Sequence, residues 1–512
     1  MRDFSSAQVR LGIIGAGIMG RGIAQIAAVA GIDVRVHDMN TVAAQEAVGF
    51  VGKMLDRAVE KGRMTATDAD QAKSRITVST DLADLAGMDL VIEAVVEKLE
   101  VKQSLFTQLE ALVAPECILA TNTSSLSVTA IASACDKPER VAGFHFFNPV
   151  PLMKLVEVVS GVRTDAAVIE QLLILAKRFG HTPVEVSDSP GFLVNHAGRG
   201  LVTEGLRILH EDITQPYVID AVMRDCVGFR MGPFELMDLT GLDVTFPATE
   251  QIYNQYFQEP RLRPTPLQQR RYIAGLLGRK TNAGWYRYEA GNSIPRAEPE
   301  APVVEIKSRF WLSRDIDVGM TKGITALLQQ AGATVAETDK PDKNDIILVA
   351  PLGLDTSTVV TNEYLDARRT IAIDMLFTME KRIVLMTSPA TEKKVTDEAH
   401  AAFAKTGRAV SVIKDSNGFI AQRIVAVIIN IATDIAQQGI AKPADIDTAV
   451  RLGLGYPQGP LAMGDAIGPK KILAILENLQ AQSGDPRYRP GPWLRRRAQL
   501  GLSLLTEEIT HD

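Results

Sequence analysis

The sequence predicts an α/β domain followed by an all-α domain, with this pair of domains repeated once along the 512 residues. Three observations support this fold class. Predicted strands alternate with helices at the start, long amphipathic helical patterns follow, and both kinds of pattern return after residue 302. Strands that alternate with helices are typical of a parallel, doubly wound sheet. A chain of this length also exceeds what one hydrophobic core usually serves.

The first β-α-β unit begins at Val9. The apolar segment "VRLGII" ends at Gly15, the helical pattern "IMGRGIAQIAAVAG" follows, and "DVRVHD" forms the next strand. Gly15, Gly17 and Gly20 form G-x-G-x-x-G at the strand-to-helix turn, where glycines permit a tight turn and the close approach of a pyrophosphate. Asp38 ends the second strand, where a carboxylate accepts hydrogen bonds from ribose hydroxyls and repels a 2′-phosphate. The motif therefore predicts a Rossmann domain that binds NAD rather than NADP.

A histidine and a carboxylate lie on the last predicted strands of this domain. His145 stands in "VAGFHFF" and Glu157 in "KLVEVV". Oxidation of a secondary alcohol needs a base for the hydroxyl proton, and an imidazole titrates near neutral pH. A carboxylate beside it would fix its tautomer and stabilise its cation. A histidine beside phenylalanine is also a common core residue, so the pairing with Glu157 is the stronger signal.

A helical domain is predicted after "PVEVSDSPGF". Asp188 or Ser189 can cap a helix there, and Pro190 suits its first position. Helical patterns rich in Leu, Ile and Met continue to about Tyr288, and the proline-rich, acidic residues 289–302 form a predicted linker. The predicted domains are an NAD-binding Rossmann domain at 1–187, a helical domain at 188–288, a degenerate Rossmann-like domain at 303–412, and a second helical domain at 413–512.

The repeat is visible when the chain is compared with itself. "DSPGF" at Asp188 returns as "DSNGF" at Asp415, and further Asp, Gly and Pro residues match at the same offset. "GAGIMGRGIAQIAAVAGIDVRVHD" aligns with "IDVGMTKGITALLQQAGATVAETD", where the loop glycines become Ile316, Val318 and Thr321. Side chains there would block a pyrophosphate, so this shortened copy is not expected to hold a dinucleotide. Two unrelated α/β segments that align by chance are the alternative for this region.

The second copy also lacks the residues for catalysis. Glu157 corresponds to Val384, and His145 falls near Met375 after a short deletion. We therefore expect a structural copy, with the one complete active site in the N-terminal half.

Net charge, apolar runs and cysteine spacing indicate which classes of binding partner are unsuitable for this chain. A net charge of -6 with mixed signs provides no basic stripe for a nucleic acid. No apolar run approaches the length of a bilayer span and the N-terminus has no signal-peptide pattern, so no membrane partner and a cytoplasmic location are expected. Cys117, Cys135 and Cys226 are widely spaced, which argues against disulfides and against a structural zinc site. No metal is predicted.

Six segments together carry a resemblance to a known family: "GAGIMGRGIAQIAA", "EAVVEKLEVKQSLF", "TNTSSLSVTAIA", "GFHFFNPVPLMKLVEVV", "DSPGFLVN" and "GPFELMDLTGLD". Over residues 9–288 the chain resembles the 3-hydroxyacyl-CoA dehydrogenases, and its fused second half resembles the long bacterial branch that acts in phenylacetate degradation. The resemblance implies NAD-dependent oxidation of a (3S)-3-hydroxyacyl-CoA to a 3-oxoacyl-CoA. The implied substrate is 3-hydroxyadipyl-CoA or 3-hydroxybutyryl-CoA.

The resemblance also implies roles for single residues. His145 is the general base and Glu157 its partner. Ser124 in "TNTSSL" and Asn195 in "GFLVN" match polar residues that hold the reacting oxygen of the substrate and the imidazole in register. Taken alone, Ser124 would be a turn residue and Asn195 a surface amide on a helix.

Further positions match contacts to the two nucleotides. The family's cofactor contacts fall on Glu97, Lys102, Asn148 and Lys280. A solvated charge pair on a helix is the alternative for the first two. Where the family offers a Ser and a Lys to CoA, this chain has Met54 and Lys61, so only Lys61 can meet a phosphate.

The resemblance implies that the helical domains pair with each other. Tandem copies would then form a pseudo-dimer within one chain, and further association into a homo-oligomer stays open. Two other functions are alternatives. A β-hydroxyacid dehydrogenase on a free acid would use a lysine where this chain has the His145–Glu157 pair. A non-catalytic, NAD-binding structural protein has precedent in a lens crystallin related to the family.

Overall fold

The computed structural model describes residues 3–5, 8–294 and 298–508. In this part of the chain the strands are β1 (Arg10–Ile14), β2 (Asp33–His37), β3 (Ile76–Ser79), β4 (Leu90–Glu93), β5 (Ile118–Thr121), β6 (Val141–Phe146), β7 (Leu155–Ser160), β8 (Thr182–Ser187), β9 (Tyr288–Glu289), β10 (Asn292–Ser293), β11 (Phe310–Leu312), β12 (Ile346–Val349), β13 (Thr370–Ile373), β14 (Arg382–Thr387) and β15 (Ala409–Lys414).

The helices of the described residues are α1 (Ile18–Val29), α2 (Thr41–Glu60), α3 (Ala66–Ser74), α4 (Leu99–Leu112), α5 (Val128–Ala132), α6 (Ala166–Arg178), α7 (Val194–Ala197), α8 (Arg199–His210), α9 (Pro216–Val222), α10 (Pro233–Thr240), α11 (Leu242–Gln255), α12 (Pro266–Ile273), α13 (Val318–Gln330), α14 (Thr356–Asn362), α15 (Lys393–Ala404), α16 (Ala421–Gln437), α17 (Pro443–Leu454), α18 (Pro460–Ile467), α19 (Pro469–Ser483) and α20 (Pro492–Leu500). The chain divides into two units. The first contains Met1–His196 and Gln438–Leu454, and the second contains Ala197–Gln437 and Gly455–Asp512.

The sheet of the first unit has the strand order β3-β2-β1-β4-β5-β6-β7-β8. Its pairs are parallel except β6 and β7, which are antiparallel. The prediction of a parallel sheet is therefore correct for β1 to β6 and wrong for β7 and β8, which run in the opposite direction. The connection at residues 147–154 is too short for the crossover that two parallel strands require, so the chain turns back on itself. This reversal places His145 directly opposite Glu157 in the register.

The central strands β1 and β4 to β7 are buried on both faces, which explains their near-continuous apolar runs. Leu11 and Ile13 of β1 belong to the core on one face, together with residues of α1 and α6. Ile14, Val91 and Leu119 belong to the core on the other face, with Phe106 of α4. The polar ends of the strands are the positions left for ligands.

The helix predicted at Pro190 begins instead at Val194. Gly191 and Phe192 adopt left-handed backbone angles, with φ of 73° and 46°, which no α-helix accommodates. Asp188 does act as a cap, but for a different helix: its carboxylate accepts hydrogen bonds from the first turn of α5. The irregular turn at 188–193 carries the chain into the site described below.

The sheet of the second unit has the strand order β11-β12-β13-β14-β15, with β13 and β14 antiparallel and the other pairs parallel. After β11, Ile316 is buried and Asp317 caps α13 by accepting hydrogen bonds from the N–H groups of Gly319 and Met320. Asp374 follows β13, and its N–H donates to the carbonyl of Val384.

Helices α8 and α16 pack against each other within the second unit. A Cβ on Gly200 would lie 3.0 Å from the Cα of Ile428, so the two backbones approach closely. Arg423 on α16 forms a buried ion pair with Glu204 on α8 at 2.8 Å, and Tyr488 donates to the same carboxylate. A buried pair of this kind is costly to break, because one charge is then left without compensation.

The predicted linker at 289–302 begins with the antiparallel pair β9 and β10. Residues 295–297 of the linker lie outside the described residues, as do 1–2 and 6–7 of the first predicted domain and 509–512 of the last. The three cysteines are buried free thiols, and burial raises the pKa of each. In the described part of the chain, none of the helices has both the length and the apolar character needed to cross a bilayer.

Candidate active site

The antiparallel pair β6–β7 brings an imidazole onto a carboxylate. His145 Nδ1 lies 2.6 Å from Glu157 Oε2, and both side chains are almost completely buried. A carboxylate that accepts from Nδ1–H fixes the tautomer and leaves Nε2 as the basic nitrogen. Nε2 of His145 forms no hydrogen bond with the described residues. The imidazole can therefore take a proton from a bound alcohol.

Glu157 is itself held by the turn that precedes α7. Its Oε1 accepts hydrogen bonds from the backbone N–H groups of Leu193 at 3.0 Å and Val194 at 2.8 Å. These donors satisfy one carboxylate oxygen and leave the other for His145. Buried charges are tolerated when they are hydrogen-bonded in this way. The turn at 188–193 thus orients the carboxylate, and the carboxylate orients the imidazole.

Aromatic rings border the imidazole. The ring of His145 lies 4.6 Å from that of Phe147 and 5.8 Å from that of Phe192, measured between centroids. An apolar border limits water around the ring and strengthens its interaction with Glu157. Sequence reasoning did not assign a role to Phe192, which the left-handed turn brings to this position.

Ser124 and Asn195 lie together near this turn. The side-chain amide of Asn195 donates to the carbonyl of Ser124 at 3.5 Å. The Ser124 N–H donates to Glu97 Oε1 at 3.0 Å, and Thr123 Oγ1 donates to the same oxygen at 2.6 Å. Ser124 is exposed, so its hydroxyl is accessible to a substrate. The two predicted residues are therefore neighbours on the surface of the first unit.

Glu97 shapes the loop that carries Ser124. Burial opposes its charge, but Lys102 and the hydrogen bonds from Thr123, Ser125 and Ser124 outweigh burial and hold the pKa of the Glu97 carboxyl below its usual value. The carboxylate therefore stays charged at neutral pH. Sequence reasoning placed Glu97 at the cofactor and missed its contacts to this loop, which follow from two separate strand ends meeting.

Lys102 is almost fully buried at the start of α4. Its ammonium lies 2.5 Å from Glu93 Oε1 and 3.2 Å from Glu97 Oε2. Glu93 ends β4 and also accepts from Thr121 at 2.7 Å. The lysine therefore neutralises two carboxylates, one at the end of β4 and one in the loop between β4 and α4. Of the pair Glu97 and Lys102, the lysine is buried while Glu97 is partly exposed, so the alternative of a solvated pair fits the glutamate and not the lysine.

The glycine turn fits a pyrophosphate. A side chain at Gly15 would overlap the carbonyl of Ala94, and a side chain at Gly20 would overlap the carbonyl of Gly15. A side chain at Gly17 would meet nothing, so the backbone there faces open space. Helix α1 begins just beyond, and the first N–H groups of a helix are free to bind an anion. The residues present fit the dinucleotide.

A cavity of about 850 Å³ lies beside this turn. Gly17, Asp38, Met39, Val95 and Val101 are among its lining residues. The Asp38 carboxylate accepts from the N–H groups of Ala16 at 2.8 Å and Asn40 at 2.9 Å, which fixes its position at the edge of the cavity. Met39 is completely exposed, so its apolar side chain is available to contact a bound ligand.

A second cavity of about 630 Å³ opens between α1, α2 and the loop after β6. Phe50, Met54, Asn148 and Pro149 contribute to its walls. Its basic lining residues are Arg21, Arg57, Lys61 and Arg63, and its described lining contains no acidic side chain. The predicted Lys61 and Asn148 are thus in one groove. The three arginines were missed, although the spacing of Arg57 and Lys61 places both on one face of α2.

Lys280 belongs to the second unit, where its ammonium lies 2.8 Å from Asp243. The cofactor role that the resemblance gave to Lys280 stays a prediction.

These features define a class of protein. A glycine turn that fits a dinucleotide, and a histidine-carboxylate pair on neighbouring strands of the same sheet, are the parts of a nicotinamide-dependent alcohol dehydrogenase. The model of the 3-hydroxyacyl-CoA dehydrogenase NAD-binding domain matches residues 10–189, and the model of the C-terminal domain matches 191–288 and 418–506. The chain belongs to the 3-hydroxyacyl-CoA dehydrogenase family. It is an NAD-dependent enzyme of that class.

Two of the relatives match nearly the whole chain, and a third matches about half of it. A 3-hydroxyadipyl-CoA dehydrogenase of Escherichia coli (strain K12) is 40% identical over 95% of this chain and 97% of its own. A crystal structure named 3-hydroxybutyryl-CoA dehydrogenase from Escherichia coli K12 matches 97% of this chain and 99% of its own, at 38% identity and a TM-score of 0.84. A probable 3-hydroxybutyryl-CoA dehydrogenase of Deinococcus radiodurans is 42% identical over 55% of this chain and 100% of its own.

Proposed function

We propose that this enzyme oxidises the 3-hydroxyl of a (3S)-3-hydroxyacyl-CoA at a single site, with His145 as the base and Glu157 as its partner. The contact between His145 Nδ1 and Glu157 Oε2 carries the proposal, because it leaves Nε2 as the proton acceptor. Bound NAD supplies the hydride acceptor. Nε2 takes the hydroxyl proton, and Glu157 stabilises the imidazolium that results. The N–H groups of Leu193 and Val194 keep the carboxylate in place.

Ser124 and Asn195 hold the reacting oxygen in this proposal. Their contact at 3.5 Å supports a common task. The Ser124 hydroxyl is exposed and can donate to the substrate oxygen. A donor at this oxygen also stabilises the carbonyl as it forms.

The cofactor contacts are assigned to the glycine turn and to the polar strand ends. Gly15, Gly17 and Gly20 would hold the pyrophosphate, and the Asp38 carboxylate would accept from the ribose hydroxyls. The remaining assigned contacts are Glu97, Lys102, Asn148 and Lys280. For Lys102 the buried pair with Glu93 favours an indirect role, in which it fixes Glu97 and the loop that Glu97 holds.

The CoA moiety is assigned to the basic groove beside α2. Lys61 is joined there by Arg21, Arg57 and Arg63, so the groove carries cations for several phosphate oxygens. Arg21 also stacks on Phe50 at 3.9 Å, which gives the groove an aromatic face. These arginines compensate for the missing hydroxyl at Met54.

The acyl group is assigned from the relatives. The full-length relative is named for 3-hydroxyadipyl-CoA, and the full-length structure and the half-length relatives are named for 3-hydroxybutyryl-CoA. Because both names occur among the matches that span nearly the whole chain, the proposed substrate is 3-hydroxyadipyl-CoA or 3-hydroxybutyryl-CoA, and the first of these would give the enzyme a place in phenylacetate degradation. A cytoplasmic location goes with this assignment.

The tandem pseudo-dimer is also proposed, with domains at 1–187, 188–288, 303–412 and 413–512 and the linker at 289–302. Reciprocal contacts support it. The N–H of Ser187 donates to the carbonyl of Ile440 at 2.8 Å, and the N–H of Lys414 donates to the carbonyl of Ile213 at 3.2 Å. The two donors are 227 positions apart, and so are the two acceptors.

Two aromatic rings in edge-to-face contact have the same spacing in the sequence. Phe229 and Tyr456 lie 4.8 Å apart between ring centroids, and they too are 227 positions apart. Equivalent residues that meet each other are expected on a local two-fold axis. In this proposal 303–412 is a second Rossmann-like domain without chemistry, because Asp374 stands opposite Val384 where His145 stands opposite Glu157.

The test compares wild type with His145→Gln. Loss of the base should lower kcat by about 100-fold to 10,000-fold. NAD affinity, measured by nucleotide titration, should not change. Assays with 3-hydroxyadipyl-CoA, 3-hydroxybutyryl-CoA and their free acids in parallel identify the acyl group and the need for CoA. Normal turnover of His145→Gln would reject the base, and turnover of only the free acid would reject the substrate class.

A further inference from the structure

Helix α17 belongs to the second half of the sequence but to the first unit of the structure. Gln438–Leu454 clusters with Met1–His196, which contains the candidate site. The helix packs on β7 and β8, and Ile446, Ala449 and Val450 are its buried apolar residues. The half of the chain that lacks the histidine-carboxylate pair therefore contributes an element to the unit that has it.

The beginning of this segment is fixed to the end of β8. The N–H of Ser187 donates to the carbonyl of Ile440 at 2.8 Å, and the Ser187 hydroxyl donates to the carbonyl of Gly439 at 3.2 Å. Two hydrogen bonds from one residue fix the start of α17 along the sheet.

The last turn of α17 packs tightly against residues next to the site. A Cβ on Gly453 would lie 3.0 Å from Leu155 Cδ2, 3.0 Å from Val194 Cγ1 and 3.1 Å from Val194 Cγ2. Leu155 lies on β7, two residues before Glu157. The Val194 N–H donates to Glu157 Oε1 at 2.8 Å. Gly453 therefore packs against Val194, which is one of the two N–H donors to the Glu157 carboxylate, and against Leu155 on the strand that carries Glu157.

We infer that Gly453 is a positioning residue for the dehydrogenase reaction, because α17 forms the wall against which Val194, a hydrogen-bond donor to Glu157, is packed. The inference rests on the proposed roles of His145 and Glu157. Close packing transmits a displacement of one side chain to the next. A larger residue at 453 would push Val194, move the donor away from Glu157 and change the alignment of the imidazole.

The contact at the equivalent positions of the other half does not involve the catalytic pair. Cys226, 227 positions before Gly453, meets Arg382, 227 positions after Leu155, with its Sγ 3.7 Å from the Arg382 carbonyl. The strand of Arg382 carries Val384 where β7 carries Glu157. The first half of the chain thus packs on the sheet that lacks the histidine-carboxylate pair. The second half packs on the sheet that contains His145 and Glu157.

The test replaces Gly453 by Val in the full-length enzyme. We expect kcat to fall at least about 10-fold, since displacement by about 1 Å can cost 100-fold. NAD affinity should stay that of wild type, because the glycine turn is not touched. The second substitution Val194→Ala, added to Gly453→Val, should recover part of the lost kcat by making room for the valine.

The matched control is Gly323→Val. Gly323 lies in helix α13 of the same half, and a Cβ there would meet nothing within 4 Å. This variant should keep wild-type kcat. Wild-type kcat in folded Gly453→Val, or an equal loss in Gly323→Val, would overturn the inference. If Gly453→Val does not fold, Gly453→Ala is judged by the same criteria. Failure of the proposed function is recognised separately, by normal turnover in His145→Gln.

Discussion

Glu157 has two tasks that a single substitution can separate. One oxygen of its carboxylate accepts from Leu193 and Val194, and the other accepts from His145. Glu157→Gln keeps the shape and one acceptor oxygen but loses the charge that stabilises the imidazolium. We expect kcat to fall by about 100-fold to 10,000-fold, the upper end being the cost of a wrong imidazole tautomer. Steady-state kinetics measure the fall.

Glu185→Gln is the matched control for this substitution. Glu185 lies on the neighbouring strand β8 and is exposed, so its replacement should leave kcat unchanged. NAD affinity should be unaffected in both variants. Full turnover in Glu157→Gln would show that the imidazole needs no charged partner.

At this scale the sequence predicts residue types well and contacts poorly. His145 and Glu157 follow from the chemistry of alcohol oxidation, and their contact is present. The contacts of Glu97 and the arginines of the basic groove depend on strand ends and helix faces that meet only in the fold. Periodicity along one segment does not contain such distances.

Helix α10 depends on a buried carboxylate of another helix. Asp220 of α9 accepts from the N–H groups of Phe234 and Glu235 and from the hydroxyl of Tyr286. Burial raises the pKa of Asp220 to about 7, against hydrogen bonds that lower it. The folded protein therefore binds a proton at Asp220 that the unfolded chain releases near pH 3.8. The stability from this group is complete below that pH and is lost as the pH rises through about 7.

The prediction is a slope in the free energy of unfolding between about pH 5 and 7. Asp220 alone should lower this free energy by about 1 kcal/mol per pH unit as the pH rises. Asp220→Asn should remove that part of the slope, because the amide does not titrate. Urea denaturation at several pH values measures it, with exposed Asp33→Asn as the control. Equal slopes in wild type and Asp220→Asn would contradict the prediction.

Element boundaries show where sequence patterns are insufficient. The strands β1, β2, β6 and β7 lie where the sequence patterns predict them. For β1, β6 and β7 the apolar run follows from burial on both faces. The direction of β7 and the start of α7 were wrong. Both depend on short segments whose conformation is set by tertiary contacts, namely the turn at 147–154 and the left-handed pair Gly191 and Phe192.

In our proposal the chain has one active site and two similar halves. Cutting the chain between the halves should affect both its assembly and its turnover. A fragment of residues 1–290 lacks α16, so the surface of α8 around Gly200 loses its cover and Glu204 loses Arg423. It also lacks α17 and the wall at Gly453. We expect this fragment to self-associate or aggregate and to turn over substrate more slowly than the full chain. Light scattering after size-exclusion chromatography and steady-state kinetics measure the two effects.

Residues 291–512, added as a separate chain, should restore turnover if the second half acts through these contacts. The relative from Deinococcus radiodurans matches only 55% of this chain over its full length, so a protein of about this half size exists in the family. In this chain α8 carries Glu204, whose buried charge is paired with Arg423 of the other half. Without Arg423 that charge is left uncompensated, so the first half should not be stable as a monomer. A fragment 1–290 that is monomeric and fully active would contradict the pseudo-dimer and the role of α17 together.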